Sequence, residues 1–532
     1  MRVLIIGGYG TFGGRLADLL ALETRLRLLI AGRSRDKADA FCQGRANCEA
    51  TVFDRDGDLD ARLAAAAPDV VVDASGPFQT YGYSVVEACL RCGVHYLDLA
   101  DATDFVAGIA RYDDAARAKS LTVISGASTF PALTSAAIRK LGGPVTRVTA
   151  GIAPSPYVDV GPNVIRVIAG YAGKKIGGDY ALMSARRVVI APPGHIPLRP
   201  TRFSLVDVPD RVLLPRLYPA LQSVWMGAGP KPALWHHALS WLAWLVRLRL
   251  LPSLSFLAPL MVWVINRFRW GEHRGGLFVE VDGRTWSMIA EGNEGAAIPS
   301  IAAYAILTKW LDGRPPAPGA RPCTEDLEVE DYERVFAGRA IVTGSRAPEP
   351  GAPLYRNFLG SVWDRLPSPI RAMHDGTGTW TAQGRAEIVR GRSPFALIAA
   401  WLNGFPPSGR DVKVTVRFDA RDGRETWTRD FDGRSFSSVQ YEGRGRGAGL
   451  IWERFGPITF GIAMIVESGR LRLDVRQWRL FGVPLPGFLR PRGDTFESVD
   501  GTGRFNFHVE IGFPWTGLIV RYRGWLERVP GR

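Results

Sequence analysis

Four consecutive apolar residues, Val3-Leu4-Ile5-Ile6, run directly into Gly7-Gly8-Tyr9-Gly10-Thr11-Phe12-Gly13, and an amphipathic stretch continues to Leu22. A buried strand, a glycine-rich turn and a helix in immediate succession can be folded in few ways. Gly7 lets the chain turn, Gly10 lets backbone approach a pyrophosphate, and Gly13 lets helix and strand pack closely, so that the N–H groups of the helix N-terminus face the phosphates. The glycines alone would also fit a plain tight turn. The strand before them and the helix after them supply the setting a dinucleotide site needs, and Thr11 and Phe12 fall within it.

The same alternation runs through the first 130 residues. Strands are expected at 2–6, 27–31, 50–53, 70–73, 96–99 and 121–124, with helical patterns such as 84–92 and 105–119 between them. That rhythm predicts an α/β Rossmann domain, a doubly wound parallel sheet, over 1–144. A mixed α/β middle domain over 145–330 is expected to interrupt it, carrying an apolar hairpin at 233–265 and a return helix near 300–311. Proline- and glycine-rich segments at 314–322 and 346–353 mark linkers. Beyond them, alternating strands punctuated by Asp422-Gly423 and Asp432-Gly433 predict a β-rich antiparallel α+β domain over 354–530.

The second strand ends Ala31-Gly32-Arg33-Ser34-Arg35, where an NAD-selective domain carries an acidic residue for the ribose hydroxyls. A carboxylate would repel a 2′-phosphate, whereas Arg33 can hold one bidentately with Ser34 assisting, so NADP(H) is the expected cofactor. Asp54, after the third strand, is placed to meet the adenine edge or to serve as a solvated loop acid. Asp73-Ala74-Ser75-Gly76-Pro77-Phe78 ends the fourth strand at the crevice, which assigns Ser75, Gly76 and Pro77 to the nicotinamide half.

From Gly76 to Asp101 the chain reads G-P-F-Q-T-Y-G-Y-S-V-V-E-A-C-L-R-C-G-V-H-Y-L-D-L-A-D. This stretch resembles the saccharopine dehydrogenase/reductase-like family. The opening G-G-Y-G-T-F-G, the A-G-R-S of the second strand and P-P-A-P-G-A-R-P-C at 315–323 are similar to it as well, so the likeness covers about 1–330. It implies an NADP-binding Rossmann domain, an interrupting domain used for substrate and dimer contacts, and pyridine-nucleotide oxidoreduction. Ser125 to Pro131 departs from the glycine-rich loop of that family, and the likeness fixes no substrate. Downstream, L-Y-R-N-F-L-G, W-T-R-D-F-D-G-R-S-F-S-S, E-R-F-G-P-I-T-F and G-L-I-V-R-Y-R-G-W-L resemble a bacterial family known as domain of unknown function 4166, over about 355–526.

Hydride chemistry belongs to the cofactor, and the protein must position substrate and move a proton. Tyr81 and Asp98 lie near strand ends that face the crevice and are the catalytic candidates. Packing and helix capping are their plainer roles. His95 is expected to be a satisfied, partly buried histidine. Cys89-x-x-Cys92 falls on a helix with no neighbouring base and is expected to pack rather than to cycle. His374-Asp375 and Arg429-Asp430 could form a second site, although a histidine beside an aspartate at a turn is more often a hydrogen-bonded loop. No metal-ligand spacing is found.

The formal charge is +14. Residues 1–150 hold 17 basic and 17 acidic side chains, while 165–275 hold 15 and 4. The excess therefore coincides with the greasiest text, 233–246 and 250–265, which are 14 and 16 residues long against the ~20 that a membrane-spanning helix needs. Trp235, Trp241, Trp244, Trp263 and Trp270 interleave with arginines there, as in segments lying among lipid headgroups; a dimer interface or a core hairpin is the alternative. No nucleic-acid-binding pattern is present. Five cysteines, an odd and small number, and an N-terminus lacking a signal-peptide h-region suggest a cytoplasmic protein at the inner face of the membrane.

These readings converge on an NADP(H)-dependent oxidoreductase for an apolar or lipid-linked substrate at a membrane surface, with a homodimer as one arrangement. An NADPH-binding module without turnover and a soluble amino-acid or polyamine dehydrogenase are the alternatives.

Overall fold

The computed structural model describes residues 1–529 apart from 160, 177, 184, 403 and 514–516. It divides into two compact units, Met1–Arg186 with Thr201–Asp282 and Ile289–Ile341, and Arg187–Pro200 with Gly283–Met288 and Val342–Arg532.

Unit 1 is built on the expected parallel sheet. Its strands are β1 (Arg2–Ile6), β2 (Arg27–Gly32), β3 (Cys48–Val52), β4 (Val70–Asp73), β5 (His95–Asp98) and β6 (Thr122–Ser125). They lie in the order β3-β2-β1-β4-β5-β6, and Gly319–Pro322 adds a seventh parallel strand beside β6. Val3, Leu4 and Ile5 on β1 and Val70, Val71 and Val72 on β4 are all fully buried. Such unbroken apolar runs suit a parallel sheet covered on both faces. Helices α1 (Thr11–Leu20), α2 (Arg35–Cys42), α3 (Leu59–Ala66) and α4 (Ser84–Cys92) make the crossovers. The order reverses between β1 and β4, which opens a crevice at their carboxyl ends.

The helix expected at 105–119 is three pieces, Thr103–Gly108, the 3-10 turn Ile109–Tyr112 and Asp113–Ala118. The amphipathic period carries across both breaks, but the Gly108 carbonyl accepts from Arg111 Nε at 2.9 Å. Glycine tolerates the tighter turn.

Within unit 1, β7 (Arg147–Ala153) is the centre of a mixed sheet, parallel to Ser223–Ala228 and antiparallel to Arg274–Val281. Thr201–Leu205 pairs antiparallel with Ser223–Ala228. Helices Pro162–Tyr171, Ala233–Arg247 and Ala258–Arg267 share a core that includes Ile165, Ala169, Ala243, Val246 and Met261. The second apolar stretch forms an α-helix from Ala258, after a 3-10 turn at Ser255–Leu257, with Pro259 in its first turn, where a missing N–H costs nothing. One face of this pair is covered, while Trp241 (75% exposed) and Trp263 (58%) stand in solvent. The helix Ile298–Leu311 returns to α1, and Ser300 Oγ donates to the Phe12 carbonyl at 2.9 Å.

Unit 2 is a closed antiparallel barrel. Ten strands follow one another in chain order: Gly378–Arg390, Gly409–Arg421, Arg424–Phe431, Arg434–Glu442, Ile451–Phe455, Ile458–Glu467, Arg470–Leu480, Thr495–Val499, Phe505–Phe513 and Gly517–Arg528. The last pairs with the first, Ala382 opposite Arg528, which closes the ring of strands. Two hairpins turn at Asp422-Gly423 and Asp432-Gly433, where all four residues have positive φ (53°, 70°, 51° and 87°). That is the backbone a two-residue hairpin requires and the reason Asp-Gly is found there. The helix Ser368–His374 brings its last residues against the barrel interior.

Candidate cofactor site

Three loops meet at the carboxyl end of the parallel sheet. The first leaves β1 at Gly7, φ 73°. A side-chain carbon on Gly7 would lie 3.1 Å from the Ala74 carbonyl, and one on Gly13 would lie 2.2 Å from the Gly7 carbonyl oxygen. The turn is thus held by backbone-to-backbone approach, and α1 begins tight against it. Gly10 occupies the position before α1 and no side chain caps the helix. The first-turn N–H groups are left for an anionic oxygen, which fits a pyrophosphate.

The second loop follows β2. Tyr9 lies over Gly32, whose missing side chain leaves room for the phenol ring, and Tyr9 Oη accepts from Ser34 N at 3.0 Å. Ser34 Oγ accepts from Lys37 N at 3.4 Å as the cap of α2. Arg33 between them is exposed. Tyr9 therefore ties the glycine turn to the end of β2 and leaves Arg33 at the rim.

The third loop follows β4. Asp73 is fully buried, and its Oδ1 accepts from Ser75 N at 2.9 Å and Ser75 Oγ at 2.6 Å. Burial raises its pKa. Arg55 Nη1 lies 3.7 Å from the other Asp73 oxygen and donates to Ser75 Oγ at 3.1 Å. The guanidinium also lies over the Tyr81 ring, 3.5 Å from its centre. Asn163 Nδ2 donates to the Gly76 carbonyl at 3.2 Å. Arg55, Asn163 and Asp73 were not singled out from the sequence. Arg55 could have been, as a basic residue directly after the third strand; Asn163 sits on a helix of the interrupting segment and gives no local signal.

Asp98 is also fully buried. Its Oδ1 accepts from Ala100 N (2.9 Å), Ser125 Oγ (3.0 Å) and Gly126 N (2.7 Å), which ties the end of β5 to the loop after β6. Burial pushes its pKa up to about 7 against these hydrogen bonds. The structure thus gathers Ser75, Arg55 and Tyr81 around one point and places Asp98 behind the surface. Asp54 accepts from Asp56 N at 3.2 Å within its own turn. His95 Nδ1 accepts from Thr122 N at 3.0 Å. Burial raises the pKa of the Cys89 thiol well above its ordinary range, so it is held protonated.

In unit 2, the first member of each pair, His374 and Arg429, is interior, whereas Asp375 is exposed and Asp430 accepts from Gly433 N at 3.1 Å in the turn that follows. His374 Nε2 lies 2.7 Å from Glu497 Oε2, and Arg429 Nη2 donates to Glu453 Oε1 at 3.1 Å, all four side chains being buried. The barrel wall turns these positions inward, which a local pattern does not reveal.

Residues 3–124 match the model of the saccharopine dehydrogenase NADP binding domain, and residues 366–526 match a domain of unknown function, DUF4166. The N-terminal match supports NADP(H) as the nucleotide. No curated protein was found to match the chain. Among solved structures, amine dehydrogenase from Mycobacterium smegmatis is 13% identical with a TM-score of 0.35, covering 61% of this chain and 95% of that one. A dehydrogenase (MviM) from Clostridium difficile is 9% identical with a TM-score of 0.31, covering 63% and 98%. At such scores neither likeness carries a functional argument.

Proposed function

We propose that the chain is a saccharopine dehydrogenase-like, NADP(H)-dependent oxidoreductase whose substrate is apolar or lipid-linked and is met at the cytoplasmic surface of a membrane. The observation that carries the cofactor half is Arg33, an exposed guanidinium at the end of β2 where NAD(H) selection would need a carboxylate. In this reading Gly7, Gly10, Thr11, Phe12 and Gly13 receive the pyrophosphate, and Arg33 with Ser34 receives the 2′-phosphate. Asp54 lies toward the adenine, and Ser75, Gly76 and Pro77 form the floor of the nicotinamide half. The bound cofactor supplies a hydride. Tyr81, with its ring held against Arg55, is the proton-moving group, and Asp98 acts by fixing the strand ends beneath it.

The membrane half is supported by the exposed face of helices Ala233–Arg247 and Ala258–Arg267. Trp241, Trp244 and Trp263 share that surface with Arg247 and Arg267, an arrangement that suits the headgroup layer of an anionic bilayer. No helix among the described residues is long and apolar enough to cross a membrane. A second reading, NADPH binding without turnover, draws on the burial of Asp98, which removes a group titrating near neutrality from direct contact with substrate.

Titration with NADPH followed by nucleotide fluorescence tests the cofactor half: Arg33→Asp should weaken NADPH by at least about tenfold, and an unchanged affinity would sink it. Steady NADPH oxidation on adding a bacterial lipid extract would remove the binding-only reading. Sedimentation with phosphatidylglycerol vesicles tests the surface. Binding should fall with salt and with Trp241→Glu; a dimer that hides Trp241 and ignores vesicles would overturn it.

A further inference from the structure

The barrel of unit 2 is not filled by its own side chains. It encloses a cavity of about 280 Å³, at the lower end of the ~300–1,000 Å³ typical of small-molecule sites. Alternate residues of successive strands point into it, Val414, Val416 and Phe418 on one and Trp427, Arg429 and Phe431 on the next. Most of the lining is aliphatic or aromatic. A barrel of this size that served stability alone would be expected to pack its centre closed, since interiors reach crystal-like density.

The buried charges facing this space, Arg429 with Glu453 and His374 with Glu497, are matched within the protein, whereas Arg490, half-buried, and Arg492, exposed, lie at its margin. Arg429 donates to Ser438 Oγ at 2.8 Å and to Glu453 Oε1 at 3.1 Å, and Ser438 Oγ donates to the same carboxylate oxygen at 2.6 Å. His374 is paired with Glu497. A charged group placed beside Gln440 would have to separate one of these buried pairs and leave its partner alone in a low-dielectric interior, which is costly. Gln440 and Thr495 are uncharged polar side chains in the lining; Gln440 is buried, and its Oε1 has no hydrogen-bond partner among the described residues.

The wall also has a gap. Strand Arg470–Leu480 pairs with Thr495–Val499 at two positions only, Leu471 with Glu497 and Arg472 with Phe496. Just beyond, Asp474 and Val475 on one side and Arg490 and Arg492 on the other line the cavity. The loop beside the gap exposes Phe481 (80%) and Phe488 (72%), an apolar rim for an apolar guest.

We propose that the barrel binds an uncharged, elongated apolar molecule ending in a hydroxyl, of the long-chain alcohol class, which enters through this gap and donates its hydroxyl to Gln440. The test uses the full chain and the neutral fluorophore N-phenyl-1-naphthylamine, displaced by 1-decanol or by decanoate at pH 8. The fluorophore should bind saturably, 1-decanol should displace it, and decanoate should be at least about tenfold weaker because its carboxylate finds no unpaired cation beside Gln440. Val416→Trp, which fills the cavity, should weaken 1-decanol by about tenfold or more. Gln440→Leu, close in volume and so a safeguard should the first variant misfold, should weaken 1-decanol severalfold and narrow its advantage over decanoate. The proposal is overturned by absence of saturable uptake, by decanoate binding as well as the alcohol, or by displacement unchanged in both variants, which would place the probe on the exposed helices of unit 1.

Discussion

Arg55 holds its guanidinium carbon 3.5 Å from the centre of the Tyr81 ring while its Nη1 reaches Ser75 Oγ at 3.1 Å. One side chain from the loop after β3 thereby fixes two residues of the loop after β4. Tyr81→Phe keeps the ring and the cation–π contact, so NADPH affinity should stay within about threefold of wild type while turnover falls. Tyr81→Leu removes a contact of roughly 0.5–2 kcal/mol and should weaken NADPH severalfold as well. Equal turnover in Tyr81→Phe and wild type would remove the hydroxyl from the reaction.

Gly13 and Gly14 are neighbours on α1 with opposite tolerance. A methyl on Gly13 meets the Gly7 carbonyl oxygen at 2.2 Å, whereas the nearest atom to one on Gly14 is Phe41 Cε2 at 3.4 Å. Gly13→Ala should lose about 1–3 kcal/mol and its NADPH binding, and Gly14→Ala should be neutral or more stable by up to about 1 kcal/mol. Thermal unfolding with and without NADPH separates the two.

Burial pushes the Asp98 carboxyl up to about 7 in the folded chain, against about 4 for an exposed aspartate. Between those values the native state binds more protons than the unfolded one, so this group makes stability fall as pH rises from about 4 to about 7. Asp98→Asn cannot ionise, and relative to wild type it should gain stability over that window, by at most about 1.4 kcal/mol per pH unit. Urea unfolding across the range measures the difference; a constant gap between the two proteins contradicts the assignment.

His374 is desolvated, which opposes its charged form, but the Glu497 carboxylate beside it outweighs this and raises its pKa above the ordinary histidine value. The stabilisation is complete below the unfolded value of about 6.5 and is lost as pH rises through the higher folded value. Glu497→Gln keeps a hydrogen-bonding group and removes the charge, so it should cost about 1–3 kcal/mol at pH 6 and progressively less toward pH 9. Urea unfolding followed by tryptophan fluorescence, with Trp427 5.6 Å from the His374 ring, reports on that unit.

Much of the nucleotide domain was legible because its signals are local. The spacing of Gly7, Gly10 and Gly13, the apolar runs of β1 and β4 and the Arg33 position each depend on residues a few places apart, and periodicity reads such distances well. Element ends were less secure, as the broken helix after Thr103 illustrates, because capping and 3-10 turns differ from an α-helix by fractions of a kcal/mol per residue.

Alternation along each C-terminal strand and the turns at Asp422-Gly423 and Asp432-Gly433 follow from local spacing alone. That Gly517–Arg528 closes on Gly378–Arg390, and with it which face becomes an interior, depends on the folded chain as a whole. Closure is a pairing between strands far apart in the chain. Alternation groups Trp427, Arg429 and Phe431 on one face but is the same whether that face meets water or a cavity. The same holds in unit 1, where Arg55 and Asn163 reach one loop from the end of β3 and from a helix of the interrupting segment. Local chemistry is written in short spacings, whereas a site assembled across the fold exists only once long-range pairing has brought its parts together.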